Sequence, residues 1–313
     1  MPSVLIGIPV LNNLEMTRCC LRHLLGNTVI DPSLQVSLFI LDNGSSQDIA
    51  GMLRAEFSSC RFPLHYRKNP RNLGVGIAWN QILQFSPSPL PSGDLEYDFY
   101  VILNNDAMVC SDWLRPLVAA MESNPRIGWV SCLENGSPLL PELLEAHVIS
   151  KAYRVDPAAP FDAAAIERSM AGIYAKWGGF DAYCRMIRER GLPLFNPFRG
   201  EGRSAVAFMV RRAMVQQIGF FDEDFWPIGI AEDLEYFLRM ERILTPAWLS
   251  VERYPAEDRW QAGFCGASVV HHNWCSTRHG KDFDGRKWDK MREKYWKEKF
   301  RRSKKYYTAL FPK

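Results

Sequence analysis

An α/β fold, with a mostly parallel central sheet and helices on both faces, is predicted by three observations. Short apolar, β-branched runs alternate with segments of helical periodicity over the first 133 residues. Several of these runs end in Asn or Asp, which disfavour a strand interior and suit the turn after it. The chain has 313 residues, nearly half of them apolar, enough to bury one large core or two smaller ones.

The first run, residues 4–10 (VLIGIPV), is continuously apolar, as a strand covered on both faces should be. Asn12 and Asn13 follow, then a helix with Leu14, Leu21, Leu24 and Leu25 at helical spacing. Residues 36–45 (VSLFILDNGS) read as a second buried strand ending at Asp42. A helix over about 46–57 presents Ile49, Met52, Leu53 and Phe57 on one face. A short strand at 64–66 comes next, and RNLGVG at 71–76 opens a helix through Trp79 and Leu83. Residues 86–93, rich in Pro and Ser, are a loop.

Residues 100–109 (YVILNNDAMV) form the stretch around which the rest is organised. A buried strand breaks there into Asn104, Asn105 and Asp106 and so delivers them to the sheet's carboxyl edge, where open parallel sheets bind ligands. Ser111 is the expected N-cap of a helix carrying Trp113, Leu114, Leu117, Val118 and Met121. A strand at 127–133 ends this half.

Residues 134–203 lose the alternation and read as a largely helical insertion or lid. Strand signals return at 204–210, 248–251 and 267–270, the last running into His271 and His272. The expected division is therefore 1–133, a nucleotide-binding half; 134–203, the insertion; 204–280, a catalytic half; and 281–313, a tail. The tail holds 13 Lys or Arg against 5 Asp or Glu, interleaved with Trp288, Tyr295, Trp296 and Phe300. Such a segment suits a solvated helix, an anionic membrane surface or a nucleic-acid backbone.

No apolar run reaches membrane-spanning length, and the N-terminus lacks a signal-peptide layout. Eight cysteines without regular spacing point to reduced thiols rather than a disulfide framework. The expectation is a cytoplasmic protein, peripheral at the inner membrane face if the tail meets lipid.

A carboxylate ending the second strand can accept a hydrogen bond from a uracil or thymine imide or a ribose hydroxyl, and it can equally close an Asx-turn. Gly74 and Gly76 allow close backbone approach at a helix N-terminus, which favours anions. Asp106, a hard ligand among amide oxygens, suits Mg²⁺ or Mn²⁺ shared with a diphosphate. Glu232, Asp233 and Glu235 fall in the first turn of a helix, where one could serve as general base. Cys265, His271, His272, Cys275 and His279 are close in sequence, but their spacing fits no standard zinc finger. An imidazole completing the shell of a metal on Asp106 is the preferred alternative.

With these residues in hand, the chain resembles inverting glycosyltransferases of family 2, a rhamnosyltransferase-like class with the GT-A fold. The resemblance covers roughly residues 3–133 and 204–276 and is carried by Pro9, Asn12, DNGS, RNLGVGIAWN, LNNDAMV, FDEDFW and Glu232-Asp233. It implies that Pro9, Asn12, Asp42, Asn72, Gly74, Asn80, Asn104 and Asn105 surround the nucleotide, with Asp42 on its base. It implies Asp106, with His271 or His272, as ligands of Mn²⁺ or Mg²⁺. It makes Asp233 the catalytic base and Glu232 its helper. The sequence departs from the family's Asp-x-Asp motif at Asn104, which brings no charge to a metal.

The implied reaction moves a sugar from a nucleoside-diphosphate donor, UDP or dTDP favoured, to an acceptor hydroxyl with inversion. The acceptor is expected to be a polysaccharide or lipid-linked glycan, or alternatively a hydroxylated base in DNA gripped through residues 281–313. A non-catalytic glycan- or nucleic-acid-binding protein on the same scaffold is the rival reading.

Overall fold

The computed structural model describes residues 1–29, 31–88, 94–137, 139–153, 162–192, 205–223, 232–240 and 260–273, with residues 290, 293, 294 and 297 of the tail. The first half alternates as the periodicity predicts: β1 (Ser3–Val10), α1 (Leu14–Asn27), β2 (Gln35–Asp42), α2 (Ile49–Glu56), β3 (Leu64–Lys68), α3 (Val75–Leu83) and β4 (Phe99–Leu103). Then come β5 (Ala107–Val109), α4 (Leu114–Ser123), β6 (Ile127–Glu134), α5 (Pro141–Ala152), α6 (Ala163–Tyr174) and α7 (Phe180–Glu189). The later described elements are β7 (Ala207–Arg211), α8 (Arg212–Ile218), α9 (Glu232–Met240) and β8 (Gln261–His272).

Among the described residues the strands make one sheet in the order β3-β2-β1-β4-β7-β6-β8-β5. β1 runs parallel to β2 and β4, and β2 to β3. β7 is antiparallel to both β4 and β6, so β6 runs with β4; β8 is parallel to β6. The carboxyl ends of β1, β2, β3, β4, β6 and β8 therefore share one rim. The backbone turns back through Asn104, Asn105 and Asp106, and β5 pairs antiparallel with β8. The sheet is mostly parallel, as the sequence predicts, with β7 as an antiparallel insertion.

Strand alternation divides the core between the two faces. Val4, Ile6, Ile8 and Val10 belong to the cluster that also takes in residues of α1, α2, α4, α5, α6 and α7. Leu5, Leu41, Ile102 and Val210 face α3, α8 and α9, where Trp129 stacks on Phe208 with centroids 3.8 Å apart. Within 134–203, α6 packs on α1 and α7 on β8, so the described helices of the insertion extend the layer on the first face.

Three local expectations change. Ser111 does not cap α4: Trp113 holds that position, and the Ser111 hydroxyl donates to Asp181 Oδ1 at 3.2 Å. Burying the Trp113 indole, whose Nε1 donates to Thr28 Oγ1 at 2.9 Å, outweighs the capping preference of Ser111. The strand expected at 204–210 begins at Ala207, and the one at 267–270 is the end of the 12-residue β8. The strand expected at 248–251 lies outside the described residues, as do Cys275, His279 and nearly all of the tail. The seven described cysteines are all free thiols, and no described helix is long and apolar enough to cross a membrane.

Candidate active site at the carboxyl rim of the sheet

Two clusters occupy the rim. The first is built where β1, β2 and β3 end. Asn12 and Asn13 both adopt positive φ, a conformation Asn tolerates better than most residues. This turns Asn12 towards the loop after β2: its Oδ1 accepts from Ser46 N–H (2.9 Å) and Oγ (3.0 Å), and its own N–H donates to Ser45 Oγ (2.8 Å). Asp42 has no exposed area. Its Oδ1 accepts from Ser45 N–H at 2.7 Å and its Oδ2 from the Tyr66 hydroxyl at 2.9 Å, with Lys68 Nζ 3.6 Å away. Burial and then Asp42 push the Tyr66 phenol well above its ordinary range, so it stays a donor.

In the ligand-free protein Asp42 thus closes an Asx-turn that shapes the loop.

Asn43, for which the sequence alone predicts no role, is the hub of the cluster. Its Nδ2 donates to Asn72 Oδ1 (3.0 Å) and Gly74 O (3.2 Å), and its Oδ1 accepts from Asn69 Nδ2 (3.0 Å) and Leu73 N–H (3.1 Å). Asn72 Oδ1 also accepts from Gly74 N–H at 2.9 Å, which fixes the entry to α3. Gly44 lets the two loops touch: at φ 89°, a Cβ there would stand 2.3 Å from the Arg71 carbonyl carbon. Pro9 lies within β1 opposite Leu41.

Asn80 lies inside the fold. It is 1% exposed, its Nδ2 donates to Phe221 O (2.8 Å) and Glu223 Oε1 (2.9 Å), and its Oδ1 accepts from Phe221 N–H (2.8 Å). It fastens the loop after α8 to α3. Asn105 likewise turns inward, donating to Thr17 Oγ1 at 2.9 Å, and Asn104 is held through its backbone N–H to Val206 O.

The second cluster gathers where β4, β6 and β8 end. Asp106 Oδ1 lies 3.4 Å from His272 Nε2, and the other ring nitrogen, Nδ1, lies 3.2 Å from Glu134 Oε2. Alternation along β8 sends the neighbouring His271 to the opposite face, where its Nδ1 meets the Tyr174 hydroxyl at 2.8 Å. Of the two candidate histidines, His272 is the one beside Asp106. The ends of β2 and β4 are two strand spacings apart, about 10 Å.

The two histidines titrate in opposite directions. Burial drives His271 down to about 3, helped by repulsion from His272. Burial also lowers His272, but the charge and hydrogen bond of Asp106, with Glu134, outweigh it and hold His272 up at about 10. Below pH 6.5 the unfolded protein takes up a proton that folded His271 refuses, so this residue's contribution falls as pH drops from 6.5 towards 3. His272 contributes fully below pH 6.5 and loses that contribution as pH rises towards 10. Melting temperatures of the metal-free protein between pH 4 and 10 should show His271→Gln flattening the acid limb and His272→Gln the alkaline limb. An unchanged pair of limbs would refute both environments.

The third part of the rim is α9. Glu232 is 3% exposed and its Cγ lies 3.4 Å from where a Cβ on Gly76 would stand, which sets the N-terminus of α9 beside that of α3. Asp233 is partly exposed. Glu235 is fully buried and paired with Arg239 through two contacts of 2.6 and 2.8 Å, so it is a structural ion pair. Of the three acidic residues in this turn, Asp233 is the one with solvent access.

A mostly parallel sheet with Asn-rich turns and a buried Asp–His pair at its carboxyl rim defines a protein of the GT-A fold. Residues 5–138 match the family described as Glycosyl transferase family 2. The mannosyltransferase PcManGT from Pyrobaculum calidifontis, solved with GDP-Man and Mn²⁺, is similar at a TM-score of 0.50 and 15% identity, over 88% of this chain and 58% of that one. GalNAc-T7, solved with UDP, GalNAc and Mn²⁺, is similar at a TM-score of 0.52 and 13% identity, over 87% of this chain and 44% of that one. The chain thus spans about half the length of these solved proteins, and the likeness is one of fold. No curated protein matches the sequence.

Proposed function

We propose that the protein is a metal-dependent inverting glycosyltransferase that moves a sugar from a nucleoside-diphosphate donor to an acceptor hydroxyl. The observation that carries this reading is the buried Asp106–His272 pair at the rim, with Asp106 inside the stretch that matches the family. Carboxylate and imidazole together suit Mn²⁺, and the carboxylate also suits Mg²⁺. Among the described residues no three His, Cys, Asp or Glu side chains converge into a cation cage. Two protein ligands completed by substrate phosphates are a common arrangement for such hard ions.

When bound, the ion neutralises charge developing on the departing nucleoside diphosphate. The protein's own residues do the rest. Asn12, Asn43 and Asn72 hold the two loops that flank the donor. The amides opening α3 face an anion favourably. Asp233 takes the proton of the acceptor hydroxyl as it attacks the anomeric carbon from the opposite side, and Glu232 fixes the helix turn that presents it. The preference for uracil or thymine donors rests on Asp42, whose Oδ2 would exchange the Tyr66 hydroxyl for the base's imide N–H.

A thermal-shift series with UDP-, dTDP- and GDP-sugars, with and without Mn²⁺, tests the reading. A ligand present at 100 times its Kd stabilises the folded state by about 2.7 kcal/mol. The expected result is a rise in Tm that needs both a nucleotide sugar and Mn²⁺. No shift with any donor would overturn the proposal.

A further inference from the structure

The end of β6 carries two polar residues that the proposed reaction has not used. Glu134 is 8% exposed and Asn135 1%, and both are directed at His272. Asn135 grips its backbone from both sides: Oδ1 accepts from His272 N–H at 2.6 Å, and Nδ2 donates to His272 O at 3.2 Å. Glu134 faces the ring in an ion-pair contact, with Oε2 3.2 Å from Nδ1. With Nδ1 so engaged, Nε2 is the nitrogen that faces Asp106.

The sheet is built to bring these groups together. Cys132 pairs with Cys265, but the next residue, Leu133, pairs with Val269, so Gly266, Ala267 and Ser268 bulge out of β8. A bulge re-aims the side chains beyond it and is favoured beside functional sites. Gly266 suits the bulge, since a Cβ there would lie 2.8 Å from Leu192 Cβ. Beyond it, Glu134 pairs with Val270, and the last residues of β8 come within reach of the residues ending β6. A buried carboxylate is costly to desolvate and persists where a cationic or donor group meets it.

We propose that Glu134 and Asn135 are positioning residues that hold His272 with Nε2 turned to Asp106, so that a divalent cation takes the place of the Nε2 proton, which is released to solvent. This is the arrangement in which a carboxylate orients a metal-binding histidine through its second nitrogen. The inference rests on Asp106 and His272 being the metal site, and its test separates the two claims.

Mn²⁺ binding is followed by electron paramagnetic resonance on the wild type, Glu134→Ala, Glu134→Gln and Asn135→Ala. The His272 Nδ1–H resonance is followed in the metal-free proteins by NMR with ¹⁵N-labelled histidine. Glu134→Ala should weaken Mn²⁺ binding about 10- to 100-fold, with Glu134→Gln recovering part of the loss through its remaining acceptor oxygen. The Nδ1–H signal should stand furthest downfield in the wild type, move upfield in Glu134→Gln and vanish in Glu134→Ala. Wild-type Mn²⁺ affinity in a folded Glu134→Ala variant would overturn the inference and leave the metal site standing. If the wild type binds no Mn²⁺, the metal reading fails, and the Nδ1–H signal alone decides whether Glu134 positions the ring. If Glu134→Ala does not fold, a Glu134→Gln signal identical to the wild type's overturns the inference.

Discussion

Asp106→Ala should abolish Mn²⁺-supported sugar transfer, with kcat falling by at least about 10²- to 10³-fold, the scale of losing one preorganised charge-stabilising group. The residue is 7% exposed and sits in the turn between β4 and β5, where its backbone carbonyl accepts from Asn273 N–H at 2.9 Å. That backbone bond survives truncation, so the turn should persist while the carboxylate is lost. His272 would lose the partner that does most to hold it protonated, and its pKa should fall. Transfer and donor hydrolysis measured at saturating Mn²⁺, beside circular dichroism of the variant, decide the matter. A folded Asp106→Ala enzyme with undiminished kcat would place the metal, or the chemistry, elsewhere.

Asp233→Asn is the second large effect. Removing a general base of this kind lowers kcat by about 10²- to 10⁴-fold while leaving donor KM and Mn²⁺ affinity near their wild-type values. Glu232→Gln should behave differently. Glu232 is buried against Gly76, so its loss should disturb the junction of α3 and α9 and raise KM together with lowering kcat. If Asp233→Asn changes KM alone, the residue binds substrate and the base must be sought elsewhere.

Several strand ends are legible because their physics is local. A run of buried β-branched residues cannot continue through Asp42 or through Asn104, Asn105 and Asp106, so those residues have to reach the rim. The same signal stands at the end of β6, where CLEN follows an apolar run, and there the sequence reading misses it. Asn43 is equally visible beside Asp42, yet nothing local says that its carboxamide, rather than its neighbour's carboxylate, bridges two loops. Asn80 follows a glycine-rich turn at helical spacing, and its bonds to the Phe221 backbone are visible only in the tertiary structure.

The sequence by itself determined the α/β class, the mostly parallel sheet and the strand ends that carry Asp42 and Asp106, because strand length, alternation and turn preference depend on near neighbours along the backbone. Tertiary structure alone decided which of two adjacent histidines meets Asp106, how Asp42 is closed off, and that Glu134 and Asn135 reach His272. Those outcomes depend on register between strands more than 100 residues apart and on a three-residue bulge in β8. Register fixes which face each side chain takes, and a shift of one residue would exchange His271 for His272.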